Sequence, residues 1–401
     1  MNKDLSATEA ARILGVSLAT LYSYVSRGLL SPGSSGPARR KRYPHEDVLR
    51  LAARNSDARR GGQAAVAAMH WGLPVLETHI SQINAGQLLY RGCEATALAG
   101  HATLEATACL LWDAGADDYF AQDAAALPPG LLERALACVP GAPPLQRAMA
   151  VMPALAHCVA PHTDTAGAMA RQGPVLMRLL AAILLGTAPS ALPLHQQLAR
   201  AWGADAAQGE LIRAALVLLA DHELNASTFA VRCVASTGAS LPAALGAGLA
   251  ALSGARHGGG SGAAMRMLAG ALAAPRPAAF IDAYYRSVAA ELAGYGHPLY
   301  AQGDPRAAYL LARLDGMAQH TPRLAAILST CAAAADALAA RPNADLALAA
   351  MTLAFGWPDT AAISIFALAR CAGWIAHAAE QAGDAAMIRP RARYVGRYRR
   401  D

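Results

Sequence analysis

An all-α fold is expected from three features of this 401-residue chain. It is 55% hydrophobic, yet only 5% is aromatic and alanine is abundant, so its core has to be built from small side chains that suit closely packed helices. Apolar residues recur at three- and four-residue spacing through ATLEATACLLWDAG, PVLMRLLAAILLGT, GELIRAALVLLADHEL and RLAAILSTCAAAADALAA, each run cut by Gly or Pro. No alternating strand pattern of useful length accompanies them, and no internal repeat. At roughly 100–200 residues per domain, the length implies two or three domains.

The first element stands apart by charge. Residues 1–60 hold eleven Lys/Arg against five Asp/Glu, whereas the other 341 balance at 23 of each, and the whole chain carries +6. A basic head on a neutral body points to a polyanion-binding module. Ser6, with Glu9 three residues on, has capping-box spacing and starts a helix through Ala10, Ala11, Ile13 and Leu14 that stops at Gly15. Ser17 caps a second helix carrying Leu21, Tyr22 and Val25, which ends at Gly28. After a Gly/Ser/Pro loop come a basic, strand-like stretch and a third helix from about Glu46. Two short helices across a glycine turn make a helix-turn-helix.

From residue 61 onward the chain reads as helix after helix, with Pro-rich breaks near 127–145 and 187–193 that separate helices rather than domains. We read no run of about 18 apolar residues free of charge and no secretory leader in MNKDLSATEAARIL, so neither a membrane nor a secreted protein is expected. Seven cysteines without a CxxC pair read as reduced cytoplasmic thiols, with no disulfide framework and no metal site.

Against this Ala/Leu background, polar residues cluster in six marked contexts: DHELNAST (221–228), SGARHGGG (253–260), GYGHPLY (294–300) with GDPRA (303–307), RPNAD (341–345), FALARCAGW (366–374), and IRPRA (388–392). Burying such groups unpaired costs about 2–7 kcal/mol each, so they need a reason. Arginines at loop–helix junctions suit bidentate capture of carboxylates. Histidines can polarise or protonate a carbonyl oxygen, and an aspartate can take a proton from carbon. Together they fit carbon–carbon bond chemistry on a multi-carboxylate substrate. Taken singly, each histidine reads more simply as a core residue, and Asp345 as the cap of the helix that follows it.

Two resemblances sharpen this reading. Glu9-Ala10-Ala11, Leu14-Gly15-Val16, Thr20-Leu21-Tyr22, Gly28-Leu29, Arg42-Tyr43 and Asp47-Val48 resemble a DNA-binding domain of the MerR type over residues 5–52. That resemblance implies Thr20 and Tyr22 on a recognition helix and Arg39, Arg40, Lys41 and Arg42 on a wing against phosphates. A retained docking or oligomerisation cap is the competing reading, since no long dimerising helix of the MerR kind follows. The six body motifs, in order, together with LLYRGCEATALA (88–99), resemble citrate synthase over about residues 75–396.

The second resemblance implies a large helical domain (61–259 and 356–401) and a small one (260–355) behind the 1–60 head. It further implies Asp345 as the base that removes a methyl proton from acetyl-CoA, His257 on the thioester oxygen, and His297 on the ketone oxygen of oxaloacetate. His222, Arg306 and Arg370 would bind oxaloacetate, and Arg389 would reach into a neighbouring subunit, making a homodimer the minimum assembly. No tightly bound cofactor is implied, and acetyl-CoA is a co-substrate whose phosphates are assigned to Arg256 and Arg391.

The sequence departs from the family at two places. Gly260-Ser261 stands where Ala-Asn is usual, and Leu346-Ala347-Leu348 where Phe-Tyr-Ser is usual. Smaller side chains at the second place leave open a 2-methylcitrate synthase using propionyl-CoA. The basic head leaves open a DNA-binding regulator with a metabolite-sensing body.

Overall fold

The computed structural model describes residues 5–14, 21, 25, 30, 42–45, 47–48, 76–115, 117–121, 127–159, 165–287, 294–318, 321–384, 386–390 and 396. The chain divides into two compact units, Met1–Glu77 and Thr78–Asp401.

In the first unit, β1 (Leu5–Ser6) pairs antiparallel with β2 (Arg42–Tyr43), Leu5 opposite Tyr43. The helix α1 (Ala7–Leu14) starts with the expected reciprocal cap. Glu9 Oε2 accepts from the Ser6 N–H and hydroxyl, both at 2.8 Å, and Ser6 Oγ accepts from Glu9 N at 3.3 Å. These bonds hold the Glu9 carboxyl below its ordinary range. Ala10, Ala11 and Leu14 turn onto Leu21, Leu30, Tyr43 and Val48, a small core of its own. Arg42 is exposed on β2. The Ser17 cap, Thr20, Tyr22, Arg39, Arg40, Lys41, Glu46 and the expected boundary at residue 60 lie outside the described residues.

The second unit opens with a departure from the expectation of no strands. β3 (Ser81–Asn84), β4 (Gln87–Tyr90) and β5 (Cys93–Glu94) form an antiparallel sheet in that order. Its turns, Ala85-Gly86 and Arg91-Gly92, have positive φ at both central residues, the geometry of the tightest hairpins. Strands of two to four residues are too short to show alternation, so only the two turn dipeptides could have revealed them.

Helices follow: α2 (Ala95–Ala99), α3 (Leu104–Leu111), α4 (Leu131–Ala137), α5 (Pro144–Val159), α6 (Ala166–Leu185), α7 (Leu194–Trp202), α8 (Ala206–Leu218), α9 (Ala226–Ala235), α10 (Leu241–Leu252), α11 (Gly260–Ala273), α12 (Pro277–Ser287), α13 (Pro305–Ala318), α14 (Pro322–Leu338), α15 (Ala344–Phe355) and α16 (Ala361–Ala382). Helix α6 begins eight residues before the expected start at Pro174, which it carries inside, as α5 carries Pro153.

Helix α16 organises the unit. It packs against α3, α5, α6, α8, α9, α10, α11 and α15, and is buried on nearly every side. Its Ala-rich sequence, AAISIFALARCAGWIAHAAEQA, lets neighbours approach closely all round, which one apolar stripe would not. Helices α6 and α16 are long and apolar enough to cross a membrane by length and composition, contrary to the expectation of no such run. Requiring a charge-free run hid them, because they carry Arg171, Arg178, Arg370 and Glu380. Their apolar windows are 72% and 94% buried within the protein itself. Helices α11 to α15 pack on one another, and α15 and α11 both meet α16.

One close approach lies at Gly248 of α10. A Cβ there would fall 2.8 Å from Trp374 Cδ2 and 2.9 Å from Val231 Cγ2. Gly248→Ala should therefore destabilise the fold by about 1–3 kcal/mol through overpacking. Gly167→Ala, on the exposed first turn of α6 with only Arg171 nearby, should be neutral or slightly stabilising. Urea unfolding of the two variants measures the contrast, and equal effects would contradict this packing.

Candidate active site

The site assembles from five places, four of them at helix ends and one within α16. The first follows α8, where Tyr90 Oη donates to the Val217 and Leu218 carbonyls (3.1 and 3.0 Å) and accepts from Asp221 N at 3.4 Å. The β4 tyrosine thus fixes the exit of α8. Asp221, fully buried, accepts from the Ser81 hydroxyl, from Glu223 N at 3.1 Å, and from His377 Nε2 at 3.4 Å. Burial would raise its carboxyl, but His377, Arg370 and the Ser81 bond hold it below the usual range. Glu223 sits at φ +48, a left-handed conformation that a non-glycine residue adopts at a cost of order 1–3 kcal/mol. Its carboxylate accepts from Ile83 N, which holds the turn in place.

His222, between these two, is buried and placed 2.9 Å (Nε2) from Tyr300 Oη. Its ring meets His297 edge-on at 5.1 Å between centroids. Burial first, then Arg306 and Arg370, keeps it neutral by pushing its pKa well below the ordinary value.

Next, Asn225 caps α9 by accepting from Ser227 N and Thr228 N. The Ser227 hydroxyl is a hub. It accepts from Trp374 Nε1 at 3.1 Å, and its single proton faces both Asn225 Oδ1 (2.7 Å) and His257 Nε2 (2.8 Å). Burial, helped by Arg370, brings His257 down to about 4.

The third segment is the loop before α13. Leu299 N donates to His297 Nδ1 at 3.2 Å, which leaves Nε2 carrying the ring proton as a donor. Burial and then Arg306 bring His297 down to about 4. Arg306 is buried and doubly bonded to Asp304, Nε to Oδ1 at 2.9 Å and Nη2 to Oδ2 at 2.8 Å. Burial would weaken its proton affinity, but Asp304 raises it.

The fourth is the turn into α15. Asn343 caps the helix, accepting from Asp345 N and Leu346 N, so the capping role that Asp345 could have taken belongs to its neighbour. The Asp345 carboxylate instead lies against Gly260 at the start of α11, where a Cβ would fall 2.5 Å from Oδ2, and accepts from Ser261 N–H. The departure from Ala at position 260 thus makes room for that carboxylate. Burial pushes Asp345 up to about 6; Arg306 and the Ser261 bond oppose, and Asp304 adds to the rise.

The fifth is α16. Arg370 is buried, with Nε donating to the Leu219 carbonyl at 3.0 Å and its guanidinium 4.8 Å over Phe366. Its Nη2, although buried, has no hydrogen-bond partner among the described residues. Burial lowers its pKa to about 10 and Asp221 opposes that, so it remains charged at neutral pH.

The arrangement thus joins two buried cations, three neutral imidazoles and one carboxyl poised near neutrality. His222, Arg306 and Arg370 are buried, while His257, His297 and Asp345 keep partly exposed faces. Cationic anchors behind and proton-handling groups in front suit an anionic carbonyl substrate. Arg256, directly before His257, and Arg389 are exposed, and Ile388, beside Arg389, donates to Ser236 Oγ. Arg391 lies outside the described residues. Among the described residues no three His, Cys, Asp or Glu side chains gather to hold a metal. Tyr90, Asp221, Ser227, Asn343, Asp304 and Tyr300 received no role from the sequence, although each stands inside a motif singled out there.

Comparisons with known proteins name the family to which a helical body with these motifs at its helix ends belongs. Residues 68–391 match the family "Citrate synthase, C-terminal domain", and residues 5–56 match a "Helix-turn-helix domain". The chain belongs to the citrate synthase family. It is 37% identical over 189 residues to the citrate synthase of Haloferax volcanii, covering 45% of this chain and 49% of that protein. The chain spans about half the length of the curated relatives it matches. Its fold matches the citrate synthase of Thermotoga maritima (TM-score 0.67, 24% identity, 82% of this chain and 96% of that one). It equally matches that of Thermoplasma acidophilum solved with carboxymethyl coenzyme A and oxaloacetate (TM-score 0.67, 21% identity, 82% and 96%).

Because burial keeps His222, His257 and His297 neutral, their ring proton resonances should not move between pH 8 and about pH 5.5. NMR of the imidazole signals, assigned by single His→Gln variants, checks this. A midpoint near the ordinary histidine value for any of the three would contradict it.

Proposed function

We propose that the protein condenses acetyl-CoA with oxaloacetate and hydrolyses the citryl-CoA formed to citrate and CoA. The observation that carries this reading is the unpartnered Nη2 of buried Arg370, beside Arg306, in a cleft that also holds Asp345 and three neutral histidines. A buried guanidinium nitrogen without an acceptor is costly, and a substrate carboxylate would supply one.

In this reading His222, Arg306 and Arg370 hold oxaloacetate. Asp345 takes a methyl proton from acetyl-CoA as the thioester oxygen gains charge. When the Ser227 hydroxyl donates to His257 Nε2, Nδ1 carries the ring proton and hydrogen-bonds that oxygen, so the enolate forms without a free charge. The enolate carbon attacks the ketone carbon of oxaloacetate while His297 Nε2–H donates to the ketone oxygen. Water then cleaves the thioester. Residues 260–355 act as the part that closes to exclude water until condensation is complete. Arg389 completes the site of a second subunit, which makes the working unit a homodimer, and Arg256 and Arg391 serve CoA phosphates. The seven free thiols suit a reducing cytoplasm.

Leu346 and Ala347, buried on α15 next to Asp345, favour a second reading in which propionyl-CoA gives 2-methylcitrate. One methylene is worth about 1–3 kcal/mol, so a kcat/KM comparison of the two thioesters decides between them. The helix-turn-helix head supports DNA contact through Thr20, Tyr22, Arg39, Arg40, Lys41 and Arg42. Affinity that falls steeply with salt, and shifts when oxaloacetate is added, would support a regulator.

Thiol release from acetyl-CoA should require oxaloacetate, and Asp345→Asn should lower kcat by about 10²–10⁴-fold while leaving oxaloacetate binding intact. Since Asp345 must be ionised to act, kcat/KM should fall as pH drops through about 6. A folded protein with no release from either thioester would refute the condensation reading.

A further inference from the structure

One carboxylate in the site contacts neither reacting group yet touches the elements that carry both. Asp304 is fully buried and all four of its acceptor positions are taken. Oδ1 accepts from Arg306 N at 3.0 Å and Arg306 Nε at 2.9 Å, and Oδ2 from Arg306 Nη2 at 2.8 Å and Ala344 N at 3.0 Å. The last bond has a specific cause. Asn343 caps α15 through Asp345 N and Leu346 N but not through Ala344 N, the first orphan donor of the helix. Asp304 supplies that missing acceptor from 40 residues away.

A second strap runs alongside. Asn343 N donates to the Gly294 carbonyl (2.9 Å), Asn343 Nδ2 to the Gly296 carbonyl (3.0 Å), and Gly296 N to the Arg341 carbonyl (2.8 Å). The loop carrying His297 is therefore laced to the turn carrying Asp345. Asp304 adds Arg306 to that unit.

We propose that Asp304 is a positioning residue that locks the carboxylate-binding guanidinium of Arg306 and the base Asp345 into one register. It acts in two ways. Its bonds to Nε and one N–H of Nη2 turn the remaining three N–H groups of Arg306 toward an incoming carboxylate. Its bond to Ala344 N sets the height of the first turn of α15, and so of Asp345, above Gly260. Its charge also bears on the base. The groups facing Asp345 are Arg306 of α13, Arg370 of α16, the Ser261 N–H of α11 and Asp304 itself, with His257 and His297 neutral in the same cleft. Of these only Asp304 is anionic, and it opposes ionisation of Asp345.

The proposal rests on the oxaloacetate reading, and its test separates the two. Asp304→Asn keeps the shape but places an NH₂ against Arg306 Nη2 or Ala344 N. It should weaken oxaloacetate binding by calorimetry, and raise its KM, on the order of 10–100-fold. It should also move the acid limb of the kcat profile to lower pH, because the anion that opposes ionisation of Asp345 is gone. Asp304→Glu keeps the charge but not the reach. It should raise KM with the acid limb in place, and it stands in if the Asn variant does not fold by circular dichroism. A merely structural aspartate would lower stability in both variants with no move of the limb in the Asn variant and no rise in KM in either, and that result would overturn the proposal. Wild-type protein that binds oxaloacetate but turns over no thioester would refute the condensation reading, while the calorimetric comparison still decides the role of Asp304.

Discussion

Two guanidinium groups, Arg306 and Arg370, lie inside a helical body built mainly from alanine and leucine, and each must stay charged there without water. Arg306 does so through Asp304, which neutralises it at hydrogen-bond distance. Arg370 does so through the Leu219 carbonyl, the face of Phe366 and the nearby charge of Asp221. The rest of the cleft follows from this constraint. Burial, reinforced by these two cations, keeps the neighbouring imidazoles neutral, because adding a third positive charge to a low-dielectric pocket is costly. The same burial keeps Asp345 at the edge of ionisation despite the two cations. Donor histidines and an acceptor carboxylate can then coexist at neutral pH.

The supporting architecture supplies these charges in a fixed geometry. The ionisable groups sit at helix ends or in loops strapped to them, apart from Arg370 and His377, which lie within α16. Asn225, Asn343 and Asp304 satisfy helix-start donors, and Tyr90 binds carbonyls at the end of α8. Caps commonly stabilise helices; here they also aim side chains, since Asp345 is the second residue of a capped helix and Ser227 the second residue of another. Helix α16 links the two halves of the cleft, since Trp374 reaches Ser227, whose hydroxyl also faces His257, while Arg370 lies one turn before it.

Much of this was legible beforehand. The 3.6-residue periodicity announced α3, α8 and α14, and the Ser6–Glu9 pair announced the start of α1. His222, His257, His297, Arg306, Asp345 and Arg370 stood out as polar residues in an apolar chain at Gly, Asn or Pro junctions. The three short strands did not, because alternation needs more than four residues to register. The long α6 and α16 were hidden by the charges they carry, and α6 began before a proline that usually ends a helix. Asp304 and Ser227 were in plain view but uninformative, since an aspartate before Pro-Arg and a serine in a first turn are ordinary on their own.

Periodicity and hydrophobicity are local properties written residue by residue, and they marked most of the helical segments and the polar junctions in advance. Tertiary structure alone decided which charge meets which: that Asp304 reaches Ala344, that Ser227 serves Trp374 and His257 together, and that Gly260 leaves room for the Asp345 carboxylate. These pairings join residues up to about 150 positions apart. Their energies depend on separations of a few ångströms and on the dielectric around them, which exist only once the helices have packed.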